Sequence, residues 1–111
     1  MVSSIAALRG GGSYGAAKAA LHGWAYALAG RLGRDGITVN VVAPGYETGP
    51  EFFGDSMSEQ RHETLVGQTL VGRPGEPDDI AAAVTYLASP AAGYVCGQIL
   101  QVNGGSLLGR G

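Results

Sequence analysis

The chain has 111 residues, enough for one small domain, with 45% apolar residues to build a core and a net charge of −2. Its seven basic residues are scattered, which excludes the electrostatic footprint of a nucleic-acid or anionic-membrane binder. Cys96 is the single cysteine, which excludes an internal disulfide and a cysteine zinc site, and it is expected to be a buried thiol.

Val2 to Ile5 reads as the tail of a strand. Arg9 to Ser13, with three consecutive glycines, is expected to be a flexible loop. Tyr14 to about Gly33 reads as a helix rich in Ala and Leu, capped by Ser13, with Leu21, Trp24, Ala25 and Leu28 recurring at helical spacing. Trp24 on such a face serves either a core or a contact between copies. Ile37 to Ala43 is β-branched and almost continuously apolar, the pattern of a parallel strand covered on both faces, and Pro44-Gly45 ends it.

Tyr46 to about Met57 reads as a loop holding Pro50, Phe52 and Phe53. Ser58 caps a polar helix reaching about Leu70. Gly72 to Pro77 is a second turn-rich stretch. Asp78 and Asp79 open a helix through Ala88, with Ile80, Val84 and Leu87 along one face. Gln98 to Val102 is a last short strand, closed by Asn103-Gly104-Gly105.

Strands alternating with helices imply an α/β parallel sheet. Two strands and a remnant make a poor sheet, with an apolar edge exposed where a neighbour belongs. The sequence is therefore expected to continue upstream of Met1. Its apolar runs fall short of the roughly 20 residues of a membrane-spanning helix. No basic leader precedes the first apolar stretch, so a cytoplasmic protein without membrane partners is expected.

Tyr14 and Lys18 are four residues apart on the first long helix and so share a face. Lys18 is the only lysine among five tyrosines, and chance would place it so about one time in twenty. A phenol has a pKa of about 10, and a neighbouring ammonium favours its ionised form. Such a pair can exchange a proton with a carbonyl oxygen as hydride moves at the carbon. The bland alternative is an exposed pair without a role.

The surroundings of the pair decide between these. Ser3-Ser4-Ile5-Ala6-Ala7 lies upstream. Ile37 to Gly45, Gly72 to Ala81 and Tyr94 to Gly105 follow in order. The series resembles the classical short-chain dehydrogenase/reductases, above all the 3-oxoacyl-acyl-carrier-protein reductase-like branch, over essentially the whole chain. The resemblance implies a Rossmann-like doubly wound parallel sheet, with residues 1–111 as its C-terminal half and the N-terminal strands missing. It implies an NAD- or NADP-dependent oxidoreductase that interconverts a ketone and a secondary alcohol.

Residue by residue, Tyr14 matches the catalytic acid/base. Lys18 matches the lysine that holds the nicotinamide ribose and supports the tyrosine. Ser4 matches the serine that hydrogen-bonds the substrate carbonyl, with Ser3 and Ser13 as alternatives. Pro44 and Gly45 match the turn beside the nicotinamide carboxamide, and Thr48 a further cofactor contact. Tyr46 to Leu70 matches the loop that closes over substrate, which makes Phe52 and Phe53 pocket residues. The implied partners are a small carbonyl or alcohol substrate and further copies, as a homodimer or homotetramer.

There are departures. Ser4 precedes Tyr14 by ten residues, fewer than is usual in the family, and Thr48 comes one position early. The family's phosphate-binding turn has no counterpart, because Gly10-Gly11-Gly12 does not follow a complete strand. The isolated chain is accordingly expected to be inactive. A non-catalytic packing or dimerisation module derived from such an enzyme is the alternative.

Gly11-Gly12-Ser13-Tyr14-Gly15 also fits the nucleophile elbow of a serine hydrolase, with Asp55 and His62 in hydrolase order. That fold needs a strand directly before the elbow, which this sequence does not offer. His22 and His62 have no metal-ligand spacing and are expected to be solvated or packed.

Overall fold

A computed structural model describes residues 1–48 and 58–109. The first helix, α1 (Ala6–Arg9), is a single turn ended by Gly10 in the left-handed conformation, φ 74°. Helix α2 (Gly12–Leu32) follows almost at once. The expected loop is thus reduced to Gly10 and Gly11, and Ser13 lies inside the first turn of α2 rather than capping it. The cause is close packing of α1 on α2. A Cβ on Gly15 would fall 2.6 Å from the Ala6 carbonyl oxygen, so only glycine lets the two backbones approach there. The triple glycine is a tight corner, not a flexible loop.

The face that α2 buries also differs from the expected one. Gly15, His22 and Ala25 are buried, and with half-buried Lys18 they form one stripe at helical spacing. Trp24 is 60% exposed and Leu21 and Leu28 are half-buried, so the bulky residues do not form the core. Gly15 and Ala25 let the helix lie close to its neighbours, and Trp24 is left outside the contact.

Strand β1 (Val41–Pro44) pairs in parallel with β2 (Ile99–Val102), in the register Val41 to Ile99 through Pro44 to Val102. On the other edge of β1, Val2 bridges Val42 in parallel, and Ser3 N–H donates to the Val42 carbonyl at 2.7 Å. The strand remnant expected at Val2 to Ile5 is therefore present in part, as a bridge at Val2, and Ile5 already turns into α1. Flanked on both sides, Val41, Val42 and Ala43 are 0–3% exposed. Val41 and Ala43 cluster with Ala25 of α2 and Ile99 of β2 as the core.

β1 is shorter than the apolar run from Ile37, and Asn40 explains why. Its side-chain amide donates to the Val95 carbonyl at 2.9 Å and accepts from Gln98 N–H at 3.0 Å. These bonds occupy the partner chain where the ladder would otherwise extend.

Helix α3 (Glu59–Gly67) is capped as expected, with Ser58 Oγ accepting from Arg61 N–H at 3.1 Å. It stops short of Leu70 because Leu70 and Val71 N–H both donate to the Gly104 carbonyl instead. Helix α4 (Pro77–Ala88) has Glu76 as its first flanking residue, and the Asp79 carboxylate accepts from Glu76 N–H at 2.8 Å. Along α4, Ile80 and Leu87 are half-buried and Val84 is 42% exposed. Val84, Leu87 and Ala88 line a small cavity together with Val42, placing α4 on the sheet face opposite α2. Helices on both faces of a parallel sheet are the doubly wound arrangement expected. Cys96 is free and half-buried rather than buried.

Candidate active site

Five of the six residues singled out in the sequence come together. Ser4, Tyr14, Lys18, Pro44 and Gly45 line one cavity of about 650 Å³. Its floor is the end of the sheet. Ile5 N–H donates to the Pro44 carbonyl at 2.8 Å, which ties the segment bearing Ser4 to the end of β1. Gly45 N–H donates to the Val102 carbonyl at 2.9 Å, and a Cβ at Gly45 would fall 2.6 Å from Asn103 Cβ. The turn after β1 is therefore closed down onto the chain after β2 at a point where no larger residue fits.

The α2 wall carries the chemistry of the pair. Tyr14 lies in the first turn of α2 and is 56% exposed. Lys18 Nζ sits 5.8 Å from the Tyr14 ring centroid, within cation–π range, and donates to the Val2 carbonyl at 3.3 Å. An ammonium has three protons, so two remain for a ligand. Ser4 Oγ accepts from Ala6 N–H at 3.1 Å, which leaves the Ser4 hydroxyl proton free to donate into the cavity. Ser3, one of the alternatives, also borders the cavity, but it is 3% exposed and its Oγ is engaged with His22 Nε2 at 2.7 Å. Ser13 does not line the cavity.

Thr48 is placed differently. Its N–H and hydroxyl both donate to the Gly75 carbonyl, at 2.9 and 3.4 Å, and it is not among the cavity-lining residues. Phe52 and Phe53 lie outside the described residues. So does Asp55, and Ser13 follows α1 and a glycine corner rather than a strand, so the elbow required by a serine hydrolase is not formed. His62 is engaged with Tyr46, whose hydroxyl lies 2.6 Å from His62 Nδ1 with the rings edge-on.

The opposite wall holds groups that sequence reasoning did not single out. Tyr46, Glu47, Arg61, Leu65 and Gln68 line it. Glu47 is 5% exposed and its Oε1 is buried without a hydrogen-bond partner among the described residues. Burial, with a smaller contribution from nearby Asp79, raises the Glu47 carboxyl above its ordinary pKa. Burial thus favours the neutral form of the Glu47 carboxyl, and Arg9, Lys18 and Arg61 line the same cavity. Arg9 spans the rim, donating to Gln68 Oε1 at 3.2 Å and to the Ser106 carbonyl. Nothing in the local pattern Gly45-Tyr46-Glu47-Thr48 announces a buried acid. The only hint is its position directly after a strand-ending turn.

No group of three or more potential metal ligands converges among the described residues. No described helix is long and apolar enough to cross a membrane.

Residues 1–106 match the family described as enoyl-(acyl carrier protein) reductase. The chain is 44% identical over 112 residues to the (2S)-[(R)-hydroxy(phenyl)methyl]succinyl-CoA dehydrogenase subunit BbsD of Thauera aromatica, covering 99% of this chain and 44% of the relative. It is 39% identical over 110 residues to the 3-oxoacyl-[acyl-carrier-protein] reductase FabG of Rickettsia felis, covering 96% and 45%. The crystal structure of a short-chain dehydrogenase/reductase (glucose/ribitol dehydrogenase) from Brucella melitensis matches with a TM-score of 0.85 at 35% identity, covering 97% of this chain and 44% of that one. The chain thus spans a little under half the length of these relatives.

Proposed function

Since the chain belongs to the short-chain dehydrogenase/reductase family, we propose that its cavity is the carbonyl-reducing half of an NAD(P)(H)-dependent oxidoreductase. The reaction is interconversion of a ketone and a secondary alcohol, with a 3-oxoacyl thioester as the substrate class. The observation that carries the reading is the convergence of Ser4, Tyr14, Lys18 and the Pro44-Gly45 turn on one cavity. The relatives' names, a FabG reductase and a CoA-ester dehydrogenase, support the thioester.

The residues present fit the nicotinamide-ribose end of the cofactor. Lys18 has two free ammonium protons for ribose hydroxyls, and the backbone after Pro44 borders the same space. A bound NAD(P)H supplies the hydride. Tyr14 gives its phenolic proton to the carbonyl oxygen as charge develops there, and recovers it in the reverse direction. Ser4 donates a hydrogen bond to that oxygen and orients it. Lys18, over the Tyr14 ring, stabilises the phenolate left behind. Thr48 as a cofactor contact requires its hydroxyl to leave the Gly75 carbonyl.

The proposed domain is the C-terminal half of a Rossmann-like catalytic unit in the cytoplasm, working as a homodimer or homotetramer. Exposed Trp24 on α2 is the proposed contact between copies. On these 111 residues alone, adenosine and pyrophosphate gain little binding energy, so turnover by the isolated chain is not expected. The test is oxidation of NADPH or NADH with a 3-oxoacyl thioester, measured on the chain and on a chimera joining it to the unmatched half of the Rickettsia felis FabG. Turnover by the chimera that Tyr14→Phe abolishes supports the reading; turnover indifferent to Tyr14→Phe defeats it.

A further inference from the structure

Lys18 is gripped twice by consecutive residues of the segment that pairs with β1. The Val2 carbonyl accepts from its Nζ at 3.3 Å, and Ser3 Oγ lies 3.3 Å from its backbone carbonyl. Ser3 Oγ also lies 2.7 Å from Nε2 of His22, one helical turn further on. Ser3 and His22 are both buried, at 3% and 7% exposure.

Ser3 has one hydroxyl proton and two neighbours. If that proton went to His22, the Lys18 carbonyl contact would be empty. If Ser3 donates to the Lys18 carbonyl, His22 donates through Nε2–H and both contacts are hydrogen bonds. Burial lowers the His22 pKa, so the ring is neutral near pH 7 and keeps the single proton this scheme needs. A relay His22 Nε2–H to Ser3 Oγ–H to Lys18 C=O results. It spans the seam between α2 and the strand segment.

Ser3 and Ser4 both border the cavity, but Ser3 Oγ is engaged with α2 through Lys18 and His22, so whatever fixes Ser3 on α2 fixes the adjacent Ser4 relative to Tyr14 and Lys18. We propose that His22 and Ser3 are positioning residues, a buried couple that sets the placement of Lys18 against Ser4. This rests on the proposed reading of the Tyr14–Lys18 pair, but it concerns where the lysine is held rather than whether it is used.

The test exploits the fact that Lys18 is the only lysine. Lysine labelled with ¹³C at Cε gives a single Hε pair in the full chain. A side chain held over the Tyr14 ring shows two non-equivalent, ring-shifted Hε signals; a freely rotating one shows a single unshifted signal. Ser3→Ala and His22→Leu are expected to collapse most of that separation. His22→Gln, which keeps a donor near the Nε2 position, is expected to restore most of it. Unchanged Hε signals in Ser3→Ala and His22→Leu, with the amide spectrum of α2 intact, overturn the proposal. So does collapse in His22→Gln equal to that in His22→Leu. Should His22→Leu fail to fold, Ser3→Ala against His22→Gln decides alone: collapse in the first and retention in the second supports the couple, and any other pattern refutes it. Turnover of the Tyr14→Phe chimera is a separate readout, so failure of the catalytic reading leaves these signals unaffected.

Discussion

The two walls of the cavity are built on different principles. The α2 wall draws Tyr14 and Lys18 from one helix, where a spacing of four guarantees a shared face. The facing wall collects Tyr46 and Glu47 from a turn and Arg61, Leu65 and Gln68 from α3 and its end, joined by bonds such as Tyr46 to His62. One wall has its two key side chains brought to one face by local structure, while the other is assembled by contacts between distant parts of the chain. The difference teaches where function is encoded compactly and where it depends on the whole assembly.

The sharpest test of the comparison is loss of the phenol. In the chimera, Tyr14→Phe is expected to lower kcat by about 10²–10⁴-fold, the usual worth of a positioned acid–base group. An equal loss from Arg61→Ala would erase the distinction between the walls.

The next effect concerns the packing that sets the α2 wall. Alanine in a helix interior is ordinarily favoured over glycine by up to about 1 kcal/mol. At Gly15 the new methyl would meet a backbone oxygen at 2.6 Å, which no rotamer relieves, and overpacking of that kind costs about 1–3 kcal/mol. Gly15→Ala should therefore destabilise in urea unfolding. Gly23→Ala, with nothing within 4 Å of the added methyl, should stabilise slightly.

Smaller still is Ser58→Ala, which removes the cap of α3 and should cost about 1 kcal/mol, seen as faster amide exchange confined to that helix. The smallest effect is in pH dependence, where the walls run in opposite senses. Glu47 has its pKa raised above 4.5 on folding. As pH climbs past 4.5 the unfolded chain releases that proton first, so stability falls until the folded-state value is passed and then levels off. Glu47→Gln should flatten this fall. His22, behind the α2 wall, has its pKa lowered below 6.5, so its contribution is lost as pH drops beneath that value. Unfolding midpoints measured from pH 4 to 8 resolve the two.

Sequence reasoning read the local half of this molecule well. The Ser58 cap, the apolar runs of the two strands and the Tyr14–Lys18 face each depend on residues close together in the chain. It misplaced what depends on distant partners. Asn40 shortens β1 through bonds to Val95 and Gln98. Ala6 makes a corner of the glycine run by packing on Gly15. Bulk offered Trp24 for the core or for a contact between copies; it is exposed, and Gly15, His22 and Ala25 occupy the buried stripe. Glu47 was unreadable, since only the folded turn removes its carboxyl from water.

The parallel pairing of β1 with β2 has a kinetic consequence. No ladder bond between them forms until the chain from Pro44 to Ile99 has closed on itself, whereas α2 is made of contacts one turn apart. Closure of a loop this long costs entropy before any bond repays it. The helix bearing tyrosine and lysine is expected to form early, and the floor beneath it, with Pro44 and Gly45, to arrive last. Such a cavity comes into being in the final step of folding, so a ligand bridging helix and floor should slow unfolding far more than it hastens folding.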